Sequence, residues 1–226
     1  MSETTPPRMT LEEKLARLGI SDADLNFYFE LFAQNPQRYM LKTNDDNWQV
    51  IKSKTGRFVK LDRHVVAYHL LGKYWAATFA PEVSHHLCID IDASRNFSLV
   101  YNTVREWIPR SIVILSSDRK GVHIYAFIHP DFRIRTYKIF SAASMELKIR
   151  GIETAPGTCE IFPAPNRFLR LPLGKGSRIL DPKTLTPMNL NLAESIKFIE
   201  ENLWRHGFEE LLPGLYRKVG RSNVKF

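Results

Sequence analysis

The chain of 226 residues is 44% hydrophobic and 25% charged, which is enough apolar material to bury one sizeable core and excludes intrinsic disorder. No stretch approaches the roughly 18 uninterrupted apolar residues of a membrane span, and the start MSETTPPRMT lacks the apolar segment of a secretion signal, so a cytoplasmic protein with no membrane partner is expected. The net charge of +8 favours a polyanionic partner, and two cysteines, Cys88 and Cys159, are too few for a disulfide framework or a four-thiolate zinc site.

Thr10 with Glu13 forms a capping box that opens a short helix, and Ser21 opens a second whose Leu25, Phe29 and Phe32 form an apolar stripe. The runs 38–42 and 48–52 read as a hairpin around 43–46. Asp62 caps a helix that Gly72 ends, and YWAATFA (74–80) reads as a strand. A strand over 87–92, a helix from Ser94 to about Ile108 with Phe97, Val100, Val104 and Trp107 on one face, and a strand over 112–117 make a βαβ unit. SDRKG (117–121) turns the chain into a strand over 122–128, and a helix over 134–149 follows with Phe140, Ala143 and Leu147 as its seam. Residues 159–162 and 167–171 read as another hairpin. Asn191 with Glu194 caps a last helix, whose stripe Leu192, Ile196, Ile199 and Leu203 ends at Gly207 before a tail holding Arg217, Lys218, Arg221 and Lys225. Strands interleaved with helices, some joined by tight turns, predict an α/β or α+β mixed sheet. One compact domain is expected, with an N-terminal helical segment (1–36), a core (37–190) and a C-terminal helix with a basic tail (191–226).

Three segments carry chemistry. In HLCIDID (86–92), strand alternation sends Leu87, Ile89 and Ile91 to one face and Cys88, Asp90 and Asp92 to the other. Two carboxylates that close repel unless a cation sits between them, although an isolated DxD is equally a solvated strand end that caps the next helix. In SSDRKGVH (116–123) a polar turn leads into a strand on which His123, Tyr125 and Phe127 share a face. Such a turn can cradle an anion, or it can be a plain surface loop beside a satisfied histidine. In CEIFP (159–163) an inward Glu160 needs a partner, either a salt bridge to Arg170 or the metal ions of the aspartates. If Glu160 shares the face of Asp90, Cys159 points away from Cys88 and no disulfide links them.

Together these segments resemble the archaeo-eukaryotic primase superfamily: a hydrophobic-DxD strand, an S-x(n)-G-x-H hairpin, then a strand with a third acid. HLLG (69–72) with Thr78-Phe79, and EIFP (160–163) leading to RLPLG (170–174), are similar to the primase-polymerases of plasmids, phages and mobile or CRISPR-associated elements. The likeness spans about 60–180. It implies a primase-polymerase catalytic core over 37–190, with an RRM-like mixed sheet packed with a second α/β layer. It implies Asp90, Asp92 and Glu160 as catalytic ligands of Mg2+ or Mn2+. Ser117, Lys120, Gly121 and His123 would contact the incoming NTP or dNTP, with Arg170 and Lys175 neutralising it. The implied partners are single-stranded or primer–template DNA, a helicase domain, or other replication or defence proteins. Glu160 stands where several members have Asp, and no zinc stem is visible, which leaves priming without a primer open.

For the template, Arg133, Arg135, Lys138, Lys148 and Arg150 are candidates, although on a helix they can equally form a solvated face. Rival readings are a non-catalytic single-strand-binding module that stacks bases on Tyr125 and Phe127, a metal-dependent nuclease, and a zinc site at His85, His86 and Cys88.

Overall fold

A computed structural model of the protein describes residues 9–43, 47–93, 96–116, 121–129, 131–132, 134–204, 208 and 211–212. In chain order the elements are α1 (Leu11–Leu18), α2 (Asp22–Phe32), β1 (Tyr39–Lys42), β2 (Gln49–Val50), α3 (Arg63–Leu70), β3 (Trp75–Phe79), β4 (Val83–Ser84) and β5 (His86–Ile91). There follow α4 (Phe97–Trp107), β6 (Ile112–Leu115), β7 (Val122–Phe127), β8 (Ile134–Arg135), α5 (Thr136–Ile149), β9 (Cys159–Phe162), β10 (Phe168–Arg170), β11 (Ile179–Leu180) and α6 (Leu192–Glu201). The fold is mixed α/β.

Local chemistry sets the helix starts. Capping boxes at Thr10–Glu13, Ser21–Asp24 and Asn191–Glu194 satisfy backbone donors that the first turn leaves unpaired, and Asp62 accepts from Val65 N at the head of α3. On α2 the buried residues are Leu25, Tyr28, Leu31 and Phe32, with the predicted Phe29 only half-buried. α6 ends at Glu201, capped by Asn202; Gly207 and the basic tail lie outside the described residues, as do Ser94 and most of the 43–46 turn.

β5, α4, β6, β7, α5 and β9 form the split βαβ arrangement of ferredoxin-like and RRM-like domains. The strands order as β11-β6-β7-β5-β9, and every neighbouring pair is antiparallel. The expected βαβ unit is present, but its parallel strands β5 and β6 are parted by β7, which inserts between them. Leu87, Ile89, Ile91, Val113, Ile124 and Ile161 face one side and pack with Val104, Trp107, Ile139 and Leu147 of α4 and α5. Cys88, Ile112, Ile114, Tyr125, Phe127 and Phe162 face the other, where they share a core with Leu25, Tyr28 and Phe32 of α2 and Ile196 and Ile199 of α6. Tyr125 and Phe127 stack at 4.9 Å, and the Phe32 ring meets both edge-on, at 5.9 and 5.3 Å. These aromatics are therefore core, and the exposed base-stacking platform expected of Tyr125 and Phe127 does not exist: they are 0% and 1% exposed.

A second, four-stranded sheet orders as β10-β3-β1-β2 and contains the expected hairpin of β1 and β2. The hairpin expected between 159–162 and 167–171 is absent. β9 pairs with β5 in the large sheet, and β10 pairs with β3 in the small one. Pro163 and Pro165 in the connection have no N–H to offer a ladder, so the chain leaves one sheet and enters the other. The segment 134–135, expected to begin the following helix, forms β8 against β4 instead. Among the described residues no helix is long and apolar enough to cross a membrane.

Candidate active site

Antiparallel register builds the site. Asp90 of β5 stands opposite His123 of β7 on one side and opposite Glu160 of β9 on the other, so three functional side chains form one transverse row on the same sheet face. Ile114 of β6 continues the row beyond His123. Asp92 lies two residues past Asp90 on the same face, its N–H held by Thr158 O at 3.1 Å.

The row is sheltered: the side chains of His123, Glu160 and Asp90 are 6%, 17% and 19% exposed. His123 Nε2 approaches Asp90 Oδ1 to 3.3 Å. That approach lacks hydrogen-bond alignment, and Oδ1 is buried with no hydrogen-bond partner among the described residues. An orphaned carboxylate oxygen inside a protein is costly and suits a site made to receive something. The Tyr125 hydroxyl lies 3.4 Å from His123 Nδ1 and can donate to it, which places the proton of the neutral ring on Nε2. Burial raises the Asp92 carboxyl above its ordinary range, and the negative charges of Asp90 and Glu160 raise it further, against a smaller opposite pull from His123. The same two carboxylates add to the burial that pushes the Cys159 thiol up to about 12.

Gly121 closes the base of the expected phosphate-binding turn, with Ser116 N–H donating to Gly121 O at 2.9 Å. A methyl group at Gly121 would lie 3.1 Å from Ser116 Oγ and 3.5 Å from Asp92 Oδ1, so the glycine lets its backbone come close to Asp92. Ser117 and Lys120 lie outside the described residues, as does Arg133.

Glu160 has an ionic partner in Arg167, a residue the sequence had not singled out. Arg167 follows β9 at the start of the small sheet, and it lines a cleft between the sheets together with Arg170, over His86, Tyr125 and Phe162. Lys175 is exposed, its ammonium 5.2 Å from the Trp75 ring of the small sheet. The basic residues of α5 do not adjoin the row either, because α5 packs on the opposite face of the large sheet. Arg135 pairs with Glu82, Arg150 sits 3.9 Å from Glu146 and 5.7 Å from the Trp107 ring, and Lys138 and Lys148 are exposed.

Among the described residues no three His, Cys, Asp or Glu side chains converge on a metal-binding cluster as they stand. Glu160 is drawn to Arg167 rather than toward the aspartates. The zinc reading finds no support either: His85, His86 and Cys88 form no such group among the described residues, and strand alternation sends His85 and His86 to opposite faces. Cys88 and Cys159 are both free and lie in different cores, as strand alternation requires.

Sequence reasoning assigned no role to Arg167 beside Glu160 and none to Tyr125 behind His123. The segments HLLG and RLPLG meet in the fold. His69 of the first is buried and donates from Nε2 to Pro172 O at 3.2 Å, and Gly174 of the second lies flat against the imidazole.

No family model and no curated protein matches the sequence. Among solved structures the chain is similar to the AEP domain of the primase-polymerase of cyanophage S-2L, at 10% identity over 81% of this chain and 98% of that one, with a TM-score of 0.42. It is also similar to the polymerase domain of Mycobacterium tuberculosis ligase D in complex with DNA, at 12% identity over 94% and 95% of the two chains, with a TM-score of 0.40. Both are polymerase domains.

Proposed function

We propose that the chain is a nucleotidyl transferase that extends a nucleic-acid strand on a template, of the primase-polymerase kind its motifs resemble. The observation that carries the reading is the row Asp90, His123 and Glu160 with Asp92 at its edge, and in particular the buried Asp90 Oδ1 that no described hydrogen-bond donor satisfies. Carboxylate oxygens are the donor set that Mg2+ and Mn2+ take, and the arrangement fits them chemically. Asp90, Asp92 and Glu160 would hold the cations, which when bound activate the attacking hydroxyl and offset charge on the leaving group.

The reaction joins the 3′-oxygen of the growing strand to the α-phosphorus of an NTP or dNTP. The bond from that phosphorus to its bridging oxygen breaks, pyrophosphate departs, and the hydroxyl proton passes to solvent. His123, oriented by Tyr125, donates to a phosphate oxygen, and Ser117, Lys120 and the Gly121 backbone cradle the triphosphate. Arg167 balances Glu160 and brings positive charge to the cleft. The test is incubation with a labelled primer on a template, nucleotides and Mn2+. Template-matched lengthening that a chelator stops supports the proposal; shortening of the primer, or retention without change, overturns it in favour of a nuclease or a binding module.

A further inference from the structure

The small sheet has two faces of opposite character. Tyr39, Leu41, Ala76 and Leu169 point into the protein core. The alternate positions of the same strands carry Lys42, Trp75, Phe79, Phe168 and Arg170 around the buried Met40 and Ala77, and none of these rings belongs to either core cluster. Trp48, just before β2, packs on Phe168 at 5.4 Å, and Phe79 meets the same ring at 6.1 Å. Trp48, Trp75, Phe79 and Phe168 are partly buried with their edges accessible, and Phe58 on the adjoining loop is 51% exposed.

Cations are threaded between these rings. The Arg38 guanidinium lies 4.0 Å from the Phe79 ring and 5.9 Å from that of Phe58, Lys52 lies 5.5 Å from Phe58, and Lys42 lies 5.8 Å from Trp75. Residues 37–60 supply Arg38, Lys42, Lys52, Lys54, Arg57 and Lys60 against only Asp45 and Asp46. A partly exposed aromatic cluster interleaved with positive charge has the two components that bind an unpaired strand: flat rings for bases and cations for phosphates. A duplex offers such a sheet its phosphates but not its base faces.

We infer that the outer face of the β10-β3-β1-β2 sheet binds single-stranded nucleic acid, with Trp48 and Phe58 as stacking residues and Arg38 and Lys52 at the backbone. β10 connects this face to the acid row, since Arg170 stands on the face and Arg167, three residues earlier, holds Glu160. The inference rests on the proposed polymerase reading for its purpose, as the path of the template, but the binding itself needs no carboxylate.

The experiment measures fluorescence anisotropy of a labelled single-stranded oligonucleotide on the full chain at fixed salt, with the same sequence as a duplex and with inorganic polyphosphate as competitors. Trp48→Ala and Phe58→Ala should each weaken single-strand binding by about 5- to 100-fold, and Lys52→Ala should lower the salt slope by about one. Wild-type protein that binds the single strand but adds no nucleotide condemns the catalytic reading and not this one, because the binding needs no carboxylate. Phe58 is exposed enough that Phe58→Ala will fold, which keeps the test open should Trp48→Ala not. Wild-type affinity in folded Phe58→Ala and Trp48→Ala, or displacement by duplex or polyphosphate as readily as by single strand, would overturn the inference.

Discussion

Gly174→Ala is expected to be among the most damaging single-methyl additions in this protein. A Cβ at Gly174 would sit 2.6 Å from His69 Nε2 and 2.8 Å from Nδ1, and closer still to the carbon between them, where ordinary contact needs about 3.4 Å or more. The ring cannot step aside cheaply. Nε2 donates to Pro172 O at 3.2 Å, Nδ1 accepts from Ala76 N–H at 3.1 Å, and burial holds the imidazole neutral with a pKa of about 4. Expelling it forfeits two hydrogen bonds at about 1 kcal/mol each and leaves a buried N–H and C=O unpaired at about 1–3 kcal/mol more. A loss of roughly 3–5 kcal/mol follows, or about 6–20 °C in Tm for a domain of this size. Urea unfolding measures it, and His69→Ala in the same background should recover part of the loss, because the two residues compete for one space. A Gly174→Ala protein within about 0.5 kcal/mol of wild type would refute the packing argument.

Glu160→Gln should abolish nucleotide addition with little change in unfolding free energy, since the Arg167 pair it breaks is partly exposed and worth about 1 kcal/mol or less; a large stability loss with retained addition would make Glu160 structural. For His123→Ala a raised KM for the incoming nucleotide is expected, with a milder rise in Tyr125→Phe, read from steady-state primer extension. The neutral His86 contributes stability fully above pH ~6.5 that is lost as the pH falls through its folded value of about 3. Melting temperatures from pH 7 to 3 should therefore fall less steeply in His86→Phe, which keeps the aromatic packing around Phe32, Tyr125 and Phe127.

Much of the site could be read locally. A strand of period two with one buried face must send Asp90 and Asp92 away from Leu87, Ile89 and Ile91, and it does. That His123 and Glu160 would flank the same aspartate was not legible, because register across three strands depends on how far each connection carries the chain before it pairs. The partner of Glu160 was missed for a related reason. Reading 159–171 as a hairpin favoured Arg170, whereas crossing between sheets leaves Arg167 beside the carboxylate and carries Arg170 onto β10. β4, β8 and β11 are two residues each, too short for any periodicity. The outer face of the small sheet was hidden as well: Trp48, Phe79 and Phe168 lie far apart in the chain, and only the pairings of β1, β3 and β10 assemble them.

The most direct test of the central claim is single-nucleotide addition to a primed template, followed as Mn2+ is titrated into wild type and Asp90→Asn. The account predicts saturable, metal-dependent, template-matched addition by the wild type and none by Asp90→Asn, whose circular dichroism and melting should match wild type. Addition by Asp90→Asn at a rate close to wild type, or none by the wild type at any metal concentration, would contradict it.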